Sequence, residues 1–217
     1  MKRERISNNV IRRLPMYLRK LDELIALDVD RISSNELGRQ MGLTPSQIRQ
    51  DFSCFGEFGQ QGYGYRVSEL REQVARILGM RDNFSVVIVG VGNLGHALIQ
   101  NMHFDELGFT VSAAFDSSPD KIGTAVGGVI VQDSARMQEW LNENATDIVV
   151  LTVPRSVAGD IAKTVAACGA KGIWNFTNID LDMGDSDVFV ENIHFSDSLL
   201  ALSYYIKDKN RDKTGKA

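Results

Sequence analysis

The sequence predicts a two-domain α/β protein with an N-terminal winged helix-turn-helix and a C-terminal Rossmann domain, which is a doubly wound parallel sheet. Residues 33–54 combine a helix, a glycine-containing turn and a second helix. A G-x-G-x-x-G turn at residues 90–95 follows an apolar run and precedes a helical stretch. Strand-like apolar runs then alternate with helical stretches, as in a parallel sheet. We place the domains at residues 1–80 and 81–192, with a C-terminal helix and tail at 193–217.

The composition is that of an ordinary globular protein. The 217 residues are 43% hydrophobic and 24% charged, which is enough for two small domains with separate cores. No apolar stretch reaches the ~20 residues that span a bilayer, and the N-terminus lacks the apolar core of a signal peptide. Cys54 and Cys168 lie far apart and fit no metal-ligand spacing. We therefore expect a cytoplasmic protein with reduced thiols, no membrane segment and no metal.

Positive charge is concentrated at the N-terminus. The net charge is −4, yet residues 1–80 carry 13 Lys and Arg against 10 Asp and Glu, whereas residues 81–217 carry 11 against 18. The basic residues among the first twenty are Lys2, Arg3, Arg5, Arg12, Arg13, Arg19 and Lys20. A basic end on an acidic chain is suited to DNA phosphates, and a solvated terminal helix explains it equally well.

Three helices are predicted in the first third of the chain. The first is amphipathic, with apolar residues at helical spacing: Val10, Ile11, Leu14, Tyr17, Leu18, Leu21, Leu24 and Ile25. Ser33 and Glu36 fit a capping box that opens a short helix through about residue 41. Thr44 is the expected N-cap of a third helix, which has Pro45 at its first position and runs through about residue 54. A connecting helix is predicted over residues 67–78.

The third helix carries side chains suited to reading DNA. Ile48 and Phe52 face inward, and the polar residues of its first turns are Ser46, Gln47, Arg49 and Gln50. Arg and Gln can make paired hydrogen bonds to base edges in the major groove. The glycine- and aromatic-rich residues 55–65 predict a β-hairpin, the wing, with candidate DNA contacts at Gly59, Gln60, Gln61, Gly62 and Tyr63. From these residues alone, a protein-binding winged helix or a packing module is the alternative.

The glycine turn has the context of a dinucleotide site. An apolar strand at residues 84–89 leads directly into it, and its residues are Gly90, Val91, Gly92, Asn93, Leu94 and Gly95. The glycines allow the turn, the approach of a pyrophosphate to the helix N-terminus, and close helix packing. A second strand ends at Asp116, 21 residues past Gly95, where a carboxylate meets the adenosine ribose. Because a carboxylate accepts from a ribose 2′-OH and repels a 2′-phosphate, NAD(H) is favoured over NADP(H).

The alternation of strands and helices continues to the end of the chain. Strands are predicted at residues 129–131, 148–153, 172–176 and 188–190, with helices around 134–142 and 157–168. Ligands bind beyond the carboxyl ends of such strands, where the candidates for the nicotinamide side are Thr152-Val153-Pro154 and Asn175-Phe176-Thr177. A last amphipathic helix carries Phe195, Leu199, Leu202 and Ile206. We expect residues 207–217 to be frayed.

The sequence indicates a regulator rather than an enzyme. A hydride-transferring enzyme needs a positioned acid/base and a substrate pocket, usually from a sizeable second domain. The histidines, His96, His103 and His194, form no catalytic or metal-binding pattern. Two alternatives stay open: a small NAD-dependent dehydrogenase with an acid/base beside Asn175 or Thr152, and a winged-helix regulator that senses another nucleotide, such as an acyl-CoA. Asp116 weighs against the latter because coenzyme A carries a ribose phosphate.

Over residues 8–206 the sequence resembles the Rex family of bacterial redox-sensing transcriptional repressors. The residues that carry the resemblance are Arg13-Leu14-Pro15, Arg31-Ile32-Ser33-Ser34, Gln47-Ile48-Arg49-Gln50-Asp51-Phe52, Phe55-Gly56-Glu57-Phe58-Gly59, Gly62-Tyr63-Gly64-Tyr65, the glycine turn, Ala114-Phe115-Asp116, Lys171-Gly172-Ile173, Asn175-Phe176 and Val190-Glu191-Asn192. The resemblance implies a homodimer whose last helix is swapped into the partner, between its winged helix and Rossmann domain. It also implies that NADH releases the protein from operator DNA and that NAD⁺ permits binding.

The resemblance assigns roles to single residues as well. It implies DNA contacts by Arg49, Gln50 and residues 59–65, dinucleotide contacts by the turn glycines and Asp116, and a position for Phe195 close to the partner's nicotinamide. Many members hold the winged helix with an Arg, a Tyr and an Asp, and the matching residues of this chain are Arg19, Asn101 and His194. The Arg–Asp ion pair of those members therefore cannot form, although Asp197 one turn on could substitute. Gln50 also replaces a lysine that is often seen in the family.

Overall fold

The computed structural model describes residues 6–56, 58 and 63–214, with side chains through residue 209. The chain divides into two compact units, residues 1–82 and 83–217. Over the described ranges, no helix is long and apolar enough to cross a membrane. In the same ranges, no three His, Cys, Asp or Glu side chains are grouped so that they could hold a metal ion.

The first unit combines helices with one short ladder. Its elements are α1 (Asn8–Ala26), β1 (Arg31–Ile32), α2 (Ser34–Met41), α3 (Pro45–Ser53), β2 (Tyr65–Arg66) and α4 (Val67–Ile77). The expected N-caps form: Ser33 Oγ accepts from the backbone N–H of Glu36 at 3.1 Å, and Thr44 Oγ1 from that of Gln47 at 3.2 Å. The Glu36 carboxylate binds side chains of its own helix, so only one half of the expected capping box is present.

The core of this unit lies between α1, α3 and α4. Tyr17, Phe52 and Ile48 are among its fully buried side chains. Gly42 turns the chain between α2 and α3 with φ +68°, a backbone conformation that glycine adopts without strain. A Cβ on Gly38 would lie 2.5 Å from the carbonyl oxygen of Leu43, so α2 meets this turn closely only because the residue is glycine.

The predicted wing is described only in part. A hairpin is predicted within residues 55–65, and the structure adds a pairing that the sequence did not predict: β2 pairs with β1, more than thirty residues upstream, in the register Arg31↔Arg66 and Ile32↔Tyr65. Phe55 is in a turn, and the hairpin prediction for residues 57 and 59–62 lies outside the described residues. The pairing was not predicted because two-residue strands are too short to show an alternating pattern.

The second unit is a three-layer α/β domain. Its elements are β3 (Phe84–Val89), α5 (Asn93–Asn101), β4 (Phe109–Asp116), β5 (Ala125–Val126), β6 (Val129–Asp133), α6 (Met137–Glu143), β7 (Ile148–Leu151), α7 (Arg155–Ala167), β8 (Gly172–Asn175), β9 (Phe189–Asn192) and α8 (Phe195–Thr214). The sheet order is β5-β6-β4-β3-β7-β8-β9, and only β5 runs antiparallel to its neighbour. The chain builds outward from β3 through β4 to β6 and then returns to add β7, β8 and β9. This is the Rossmann order, with its switch point between β3 and β7.

Two apolar clusters cover the faces of this sheet. One contains Val87, Phe115 and Leu151, and the other contains Ile88 and Val131. Central strands are buried on both sides, which explains why they appear in the sequence as unbroken apolar runs.

Two features of this unit depart from the expectations. The short edge strand β5 was not predicted because its two residues carry no pattern. The last helix was expected to fray from residue 207, but α8 continues to Thr214. Its final turns are rich in lysine, arginine and aspartate, and lysine and arginine are good helix formers, so charge alone was a poor guide to its end.

Candidate functional site

The turn after β3 needs glycine at two of its three glycine positions, and the third leaves space for a ligand. Gly90 has φ +93°, and a Cβ there would lie 2.7 Å from the carbonyl oxygen of Thr152. A Cβ on Gly95 would lie 2.0 Å from the carbonyl oxygen of Gly90, so α5 could not pack on the turn. A Cβ on Gly92 would meet nothing within 4 Å, so this glycine leaves open space above the turn. The structure therefore fits a ligand that approaches the backbone at Gly92.

The N-terminus of α5 opens onto that space. Gly92 is the N-cap, and no side chain caps the helix there. Uncapped backbone N–H groups and the positive end of the helix dipole together favour an anion. Asn93 is exposed and Leu94 half-buried, while Val91 is buried under the turn. These residues fit the pyrophosphate of a dinucleotide.

Asp116 ends β4 beside the turn and is buried. Its Oδ2 accepts from the backbone N–H of Val91 at 2.6 Å and from Lys121 Nζ at 3.3 Å, and its Oδ1 accepts from the N–H of Ser118 at 2.8 Å. Burial opposes ionisation, but the N–H groups of Ser118 and Val91 and the ammonium of Lys121 outweigh it and hold the pKa of Asp116 below its usual value. A carboxylate offers about four acceptor positions. Three are occupied here, so one is left for a ribose hydroxyl.

Lys121 is a neighbour that the sequence did not reveal. The predicted role of Asp116 as a repeller of 2′-phosphate assumed an unpaired carboxylate. Lys121 partly neutralises that charge in the structure, with an Nζ–Oδ2 distance of 3.3 Å. If Asp116 faces the adenosine ribose, as the sequence predicts, discrimination against a 2′-phosphate would depend on the Lys121 ammonium as well as on Asp116.

The candidates at the ends of β7 and β8 are held by bonds within the protein. Thr152 Oγ1 donates to the carbonyl oxygen of Gly90 at 2.5 Å, and Val153 lies against the same glycine. Pro154 is exposed and caps α7. Thr152 thus supports the glycine turn, and its contact with a nicotinamide stays a prediction.

Asn175 is buried and its amide group is fully hydrogen-bonded. Its Nδ2 donates to the carbonyl oxygen of Ile179 at 2.7 Å and to Asn192 Oδ1 at 2.8 Å. Its Oδ1 accepts from the backbone N–H and from Oγ1 of Thr177, at 3.0 and 2.6 Å. Two donors and two acceptor sites are all that the amide has. The geometry therefore gives Asn175 a structural role, in which it ties β8 to β9 and to the loop after β8.

Phe195 begins α8 and is 61% exposed. Its ring stacks on Phe176, which in turn lies against Trp174 with ring centroids 4.5 Å apart. The sequence predicted roles for Phe195 and Phe176 but not that they stack in one aromatic row. The pattern Trp174-Asn175-Phe176 was its signal, because alternate residues of a strand share one face.

The predicted reading residues of α3 project from the first unit. Ser46, Arg49 and Gln50 are exposed and Gln47 is half-buried, whereas Ile48 and Phe52 are buried. Arg49 Nη1 donates to Ser34 Oγ at 3.0 Å. Their arrangement fits a helix whose outer face enters a groove.

Of the predicted wing contacts at residues 59–65, three can be placed. Gly64 has φ +72°, and Tyr65 is buried in the core of the first unit. Tyr63 is 71% exposed, and its carbonyl oxygen accepts from Arg31 Nη1 at 3.4 Å. Gly59, Gln60, Gln61 and Gly62 lie outside the described residues.

A buried carboxylate on α3 was not predicted. Asp51 is 2% exposed and is bound by Arg13 and Tyr17 of α1. The bond to Asp51 raises the pKa of Arg13, and burial raises that of Tyr17. The signal for this group was an acidic residue beside Phe52 on a helix proposed to meet DNA, a position where a free carboxylate would be unfavourable.

Two of the three residues matched to the family's interdomain contacts make local bonds. Arg19 is exposed on α1, and Asn101 Nδ2 donates to the carbonyl oxygen of Ala97 at 3.0 Å. His194 Nε2 lies 3.0 Å from Asp180 Oδ1. Their role in a switch between the domains stays a prediction.

Two family models match the chain. The model described as "Putative DNA-binding protein N-terminus" matches residues 5–53, and the "CoA binding domain" model matches residues 81–179. The first contains α1 to α3, and the second contains the glycine turn and Asp116.

Relatives and solved structures extend the likeness over almost the whole chain. The redox-sensing transcriptional repressor Rex of Clostridium botulinum strain Hall is 48% identical over 94% of this chain and 97% of its own length. The protein of the same name from Caldicellulosiruptor saccharolyticus is 45% identical over 98% and 96%. A crystal structure of RSP in complex with beta-NAD⁺ and operator DNA has a TM-score of 0.88 and 43% identity, over 98% of both chains. A crystal structure of RSP in complex with beta-NADH has a TM-score of 0.89 and 40% identity, over 97% and 99%.

Proposed function

The chain belongs to the Rex family of redox-sensing transcriptional repressors, and we propose that it binds operator DNA as a homodimer and leaves it when NADH binds its Rossmann domain. The observation that carries the proposal is the combination, in one chain, of an exposed polar face on α3 with a three-glycine turn next to Asp116. The RSP protein, which is similar in sequence and fold, is described in complex with beta-NAD⁺ and operator DNA and with beta-NADH.

The dinucleotide is NAD(H) in this proposal. The open space at Gly92 and the uncapped start of α5 would take the pyrophosphate, and Asp116 would accept from the adenosine ribose. An acyl-CoA is a weaker candidate even though one family model is named for coenzyme A. Its ribose carries a phosphate, which the buried Asp116 carboxylate would repel.

Operator DNA would meet α3. Ser46, Arg49 and Gln50 are free of the core, so they are available to base edges without loss of packing. A dimer on a palindrome must hold its two reading helices about one DNA turn apart, roughly 34–36 Å or a multiple of it.

The homodimer proposal is supported by the surface of α8. Its exposed apolar side chains are Phe195, Leu199, Leu200, Leu202, Tyr204, Tyr205 and Ile206. At 100° per residue, Leu199, Leu202 and Ile206 share one face, while Leu200 and Tyr204 lie nearly opposite. A helix that is apolar on several sides needs to be covered on several sides. Exchange of α8 between two copies of the chain would provide that cover.

We propose a regulator of the cytoplasm, not a dehydrogenase. A dehydrogenase would need an acid/base beside Thr152 or Asn175, and both of these side chains are hydrogen-bonded to the protein itself. Operator DNA and the NADH pool meet in the cytoplasm, where the exposed Cys54 would remain a thiol.

NADH can release DNA only if it binds the DNA-incompetent dimer more tightly than the competent one, because equal affinity shifts no population. In this proposal Phe195 of one subunit packs against the nicotinamide bound to the other. A neutral, reduced ring accepts apolar contact, whereas a charged, oxidised ring would lose solvation there. The differential affinity thus comes from an apolar contact that favours one redox state.

One titration tests the proposal. The protein is bound to a labelled palindromic AT-rich duplex, and NADH, NAD⁺, NADPH and acetyl-CoA are added separately. Release by NADH at concentrations that leave the complex intact with the other three is the expected result. Equal release by NADPH would exclude the role of Asp116, release by acetyl-CoA would identify a different ligand, and no preference for the operator would exclude the function itself.

A further inference from the structure

We propose that Arg13, Tyr17 and Asp51 form an anchor that sets the rotation of α3 about its own axis, and so aims the base-reading side chains. The anchor is defined by these three residues. The inference rests on the proposed binding of operator DNA, which it deepens by naming positioning residues for specificity.

All three hydrogen bonds of the anchor are made to the Asp51 carboxylate. Arg13 Nη2 donates to Asp51 Oδ1 at 2.8 Å and Arg13 Nε donates to Oδ2 at 2.6 Å, which is a bidentate fork. Tyr17 Oη donates to Oδ2 at 2.7 Å. The Asp51 side chain is 2% exposed and that of Arg13 19%. Three directional bonds thus reach α3 from adjacent turns of α1.

The Tyr17 ring extends the anchor toward the base of the wing. Its centroid lies 4.8 Å from that of Phe52, and the Phe52 ring lies 5.4 Å from Tyr65 in an edge-on contact. Tyr65 pairs with Ile32 in the short ladder. A rotation of α3 would therefore disturb both the carboxylate bonds and the aromatic contacts.

The reading residues are immediate neighbours of the anchor. Gln50 precedes Asp51, and Gln47 lies one turn before it on the same side of α3. These two residues, Ser46 and Asp51 line an open groove of about 1300 Å³ together with Arg13. A small rotation of the helix would move Gln47 and Gln50 along this groove, away from the bases that they face.

Stability alone does not explain a buried ion pair. Desolvation of two charges commonly offsets their attraction, and replacement by apolar residues of similar size is often neutral or stabilising. What an apolar replacement lacks is direction, because apolar contacts tolerate rotation and a bidentate fork does not. We therefore assign the anchor to orientation, and expect it to affect specificity more than folding.

Tyr17→Phe is the sharpest single change, because the ring and its contact with Phe52 are kept and only the bond to Asp51 is lost. We expect operator affinity to fall about tenfold, the equivalent of a weakened hydrogen bond to a charged group. Affinity for a scrambled duplex, which depends on phosphates, should stay within about twofold. Lys20→Ala is the control. It removes a side chain of α1 that is paired with exposed Glu23 instead of Asp51, and it should leave the operator-to-scrambled ratio unchanged.

A triple variant, Arg13→Met with Tyr17→Phe and Asp51→Leu, separates orientation from stability. Its thermal unfolding midpoint and its affinity for NADH should match or exceed those of the wild type. The ratio of its affinity for operator to its affinity for scrambled duplex should fall at least as far as in Tyr17→Phe. If the triple variant does not fold, Tyr17→Phe alone decides. A ratio equal to that of the wild type in the folded variants would overturn the anchor. A wild type that itself shows no preference would overturn the proposed function, and these two failures are distinct.

Discussion

The ring of Phe176 stacks on the ring of Phe195, with centroids 5.9 Å apart and planes 30° from parallel. Phe176 is fixed in turn, because its N–H donates to the carbonyl oxygen of Leu151 at 2.9 Å and its ring meets Trp174. The backbone N–H of Ile193 also donates to the carbonyl oxygen of Asn175 at 2.8 Å. The start of α8 is therefore fastened to the sheet, although the helix itself is exposed.

This contact leads to a prediction for Phe195→Ala. We expect operator binding without ligand to stay nearly intact, and the NADH concentration for half-release to rise several-fold, because the apolar contact proposed to distinguish NADH from NAD⁺ would be lost. Fluorescence anisotropy of a labelled operator during NADH titration measures it. Phe189→Ala, which removes an 82% exposed phenylalanine of β9, is the control. An unchanged half-release concentration would move the sensing contact away from Phe195.

Asp116→Asn tests the ribose contact. The amide keeps an acceptor oxygen but loses the charge, so we expect NADH binding to weaken by about 1.5–3 kcal/mol and the preference over NADPH to narrow. Isothermal titration with both dinucleotides measures both effects. Asp120→Ala, an exposed residue of the following loop, should change neither. Tight NADPH binding by the wild type would contradict the assignment.

A substitution of Lys121 tests the same proposed ribose site. Lys121→Met removes the ammonium 3.3 Å from Asp116 Oδ2 and leaves the carboxylate uncompensated. Repulsion of a 2′-phosphate should then increase, so the ratio of NADPH to NADH dissociation constants should rise above that of the wild type. A lower ratio would mean that Lys121 does not soften the discrimination by Asp116.

Arg49→Ala separates base contacts from phosphate contacts. If Arg49 reads a base, operator affinity should fall by about 1–3 kcal/mol and preference should relax at one position of the site. If it binds only phosphate, affinity should fall alike for all duplexes and the salt slope should shrink by about one. Ser34→Ala removes the bonding partner of Arg49 and controls for its orientation. Unchanged binding would remove Arg49 from the interface.

The second unit should lose stability in acid through Asp147. The bond from Lys171 and the N–H of Ser85 hold the pKa of Asp147 below its usual value. A carboxylate with a depressed folded pKa stabilises the fold above the ordinary carboxyl pKa, and that contribution is lost as pH falls through the folded pKa. The difference in unfolding free energy between wild type and Asp147→Asn should therefore be present at pH 7 and shrink below about pH 4. Urea titrations at several pH values measure it, and a difference that grows in acid would contradict the assignment.

Deletion of residues 193–217 tests the role of α8. We expect the shortened chain to lose dimers, because the side chains that would cover the two copies are gone. Sedimentation velocity measures the mass, and deletion of residues 210–217 alone should leave dimers intact. A dimer that survives the longer deletion would place the interface elsewhere.

The features that could be predicted from the sequence depend on residues that lie close together in the chain. Ser33 and Thr44 could be recognised as caps because a cap depends on residues within three positions. The three glycines could be recognised because their spacing and their flanking strand and helix lie within one short segment. The partners of Asp51 could not be recognised, since they lie 34 and 38 residues away in the chain and become its neighbours only in the fold.

The same limit applies to Asn175 and Asp116. Both were placed correctly at strand ends, where ligands bind. The internal partners that occupy Asn175, and Lys121 beside Asp116, depend on loops whose path has no sequence period. A polar residue at a strand end is thus a sound candidate by position, but its free hydrogen-bonding capacity is known only from the structure.

Different side chains of the nine-residue helix α3 pack against the domain and face outward. Ile48, Asp51 and Phe52 hold it in place, while Ser46, Arg49 and Gln50 point away from the protein. If these outward residues read bases, as proposed, substitutions there would change the preferred operator without a compensating change inside the domain. A few surface replacements could then reassign which genes are regulated, with the same metabolite kept as the signal.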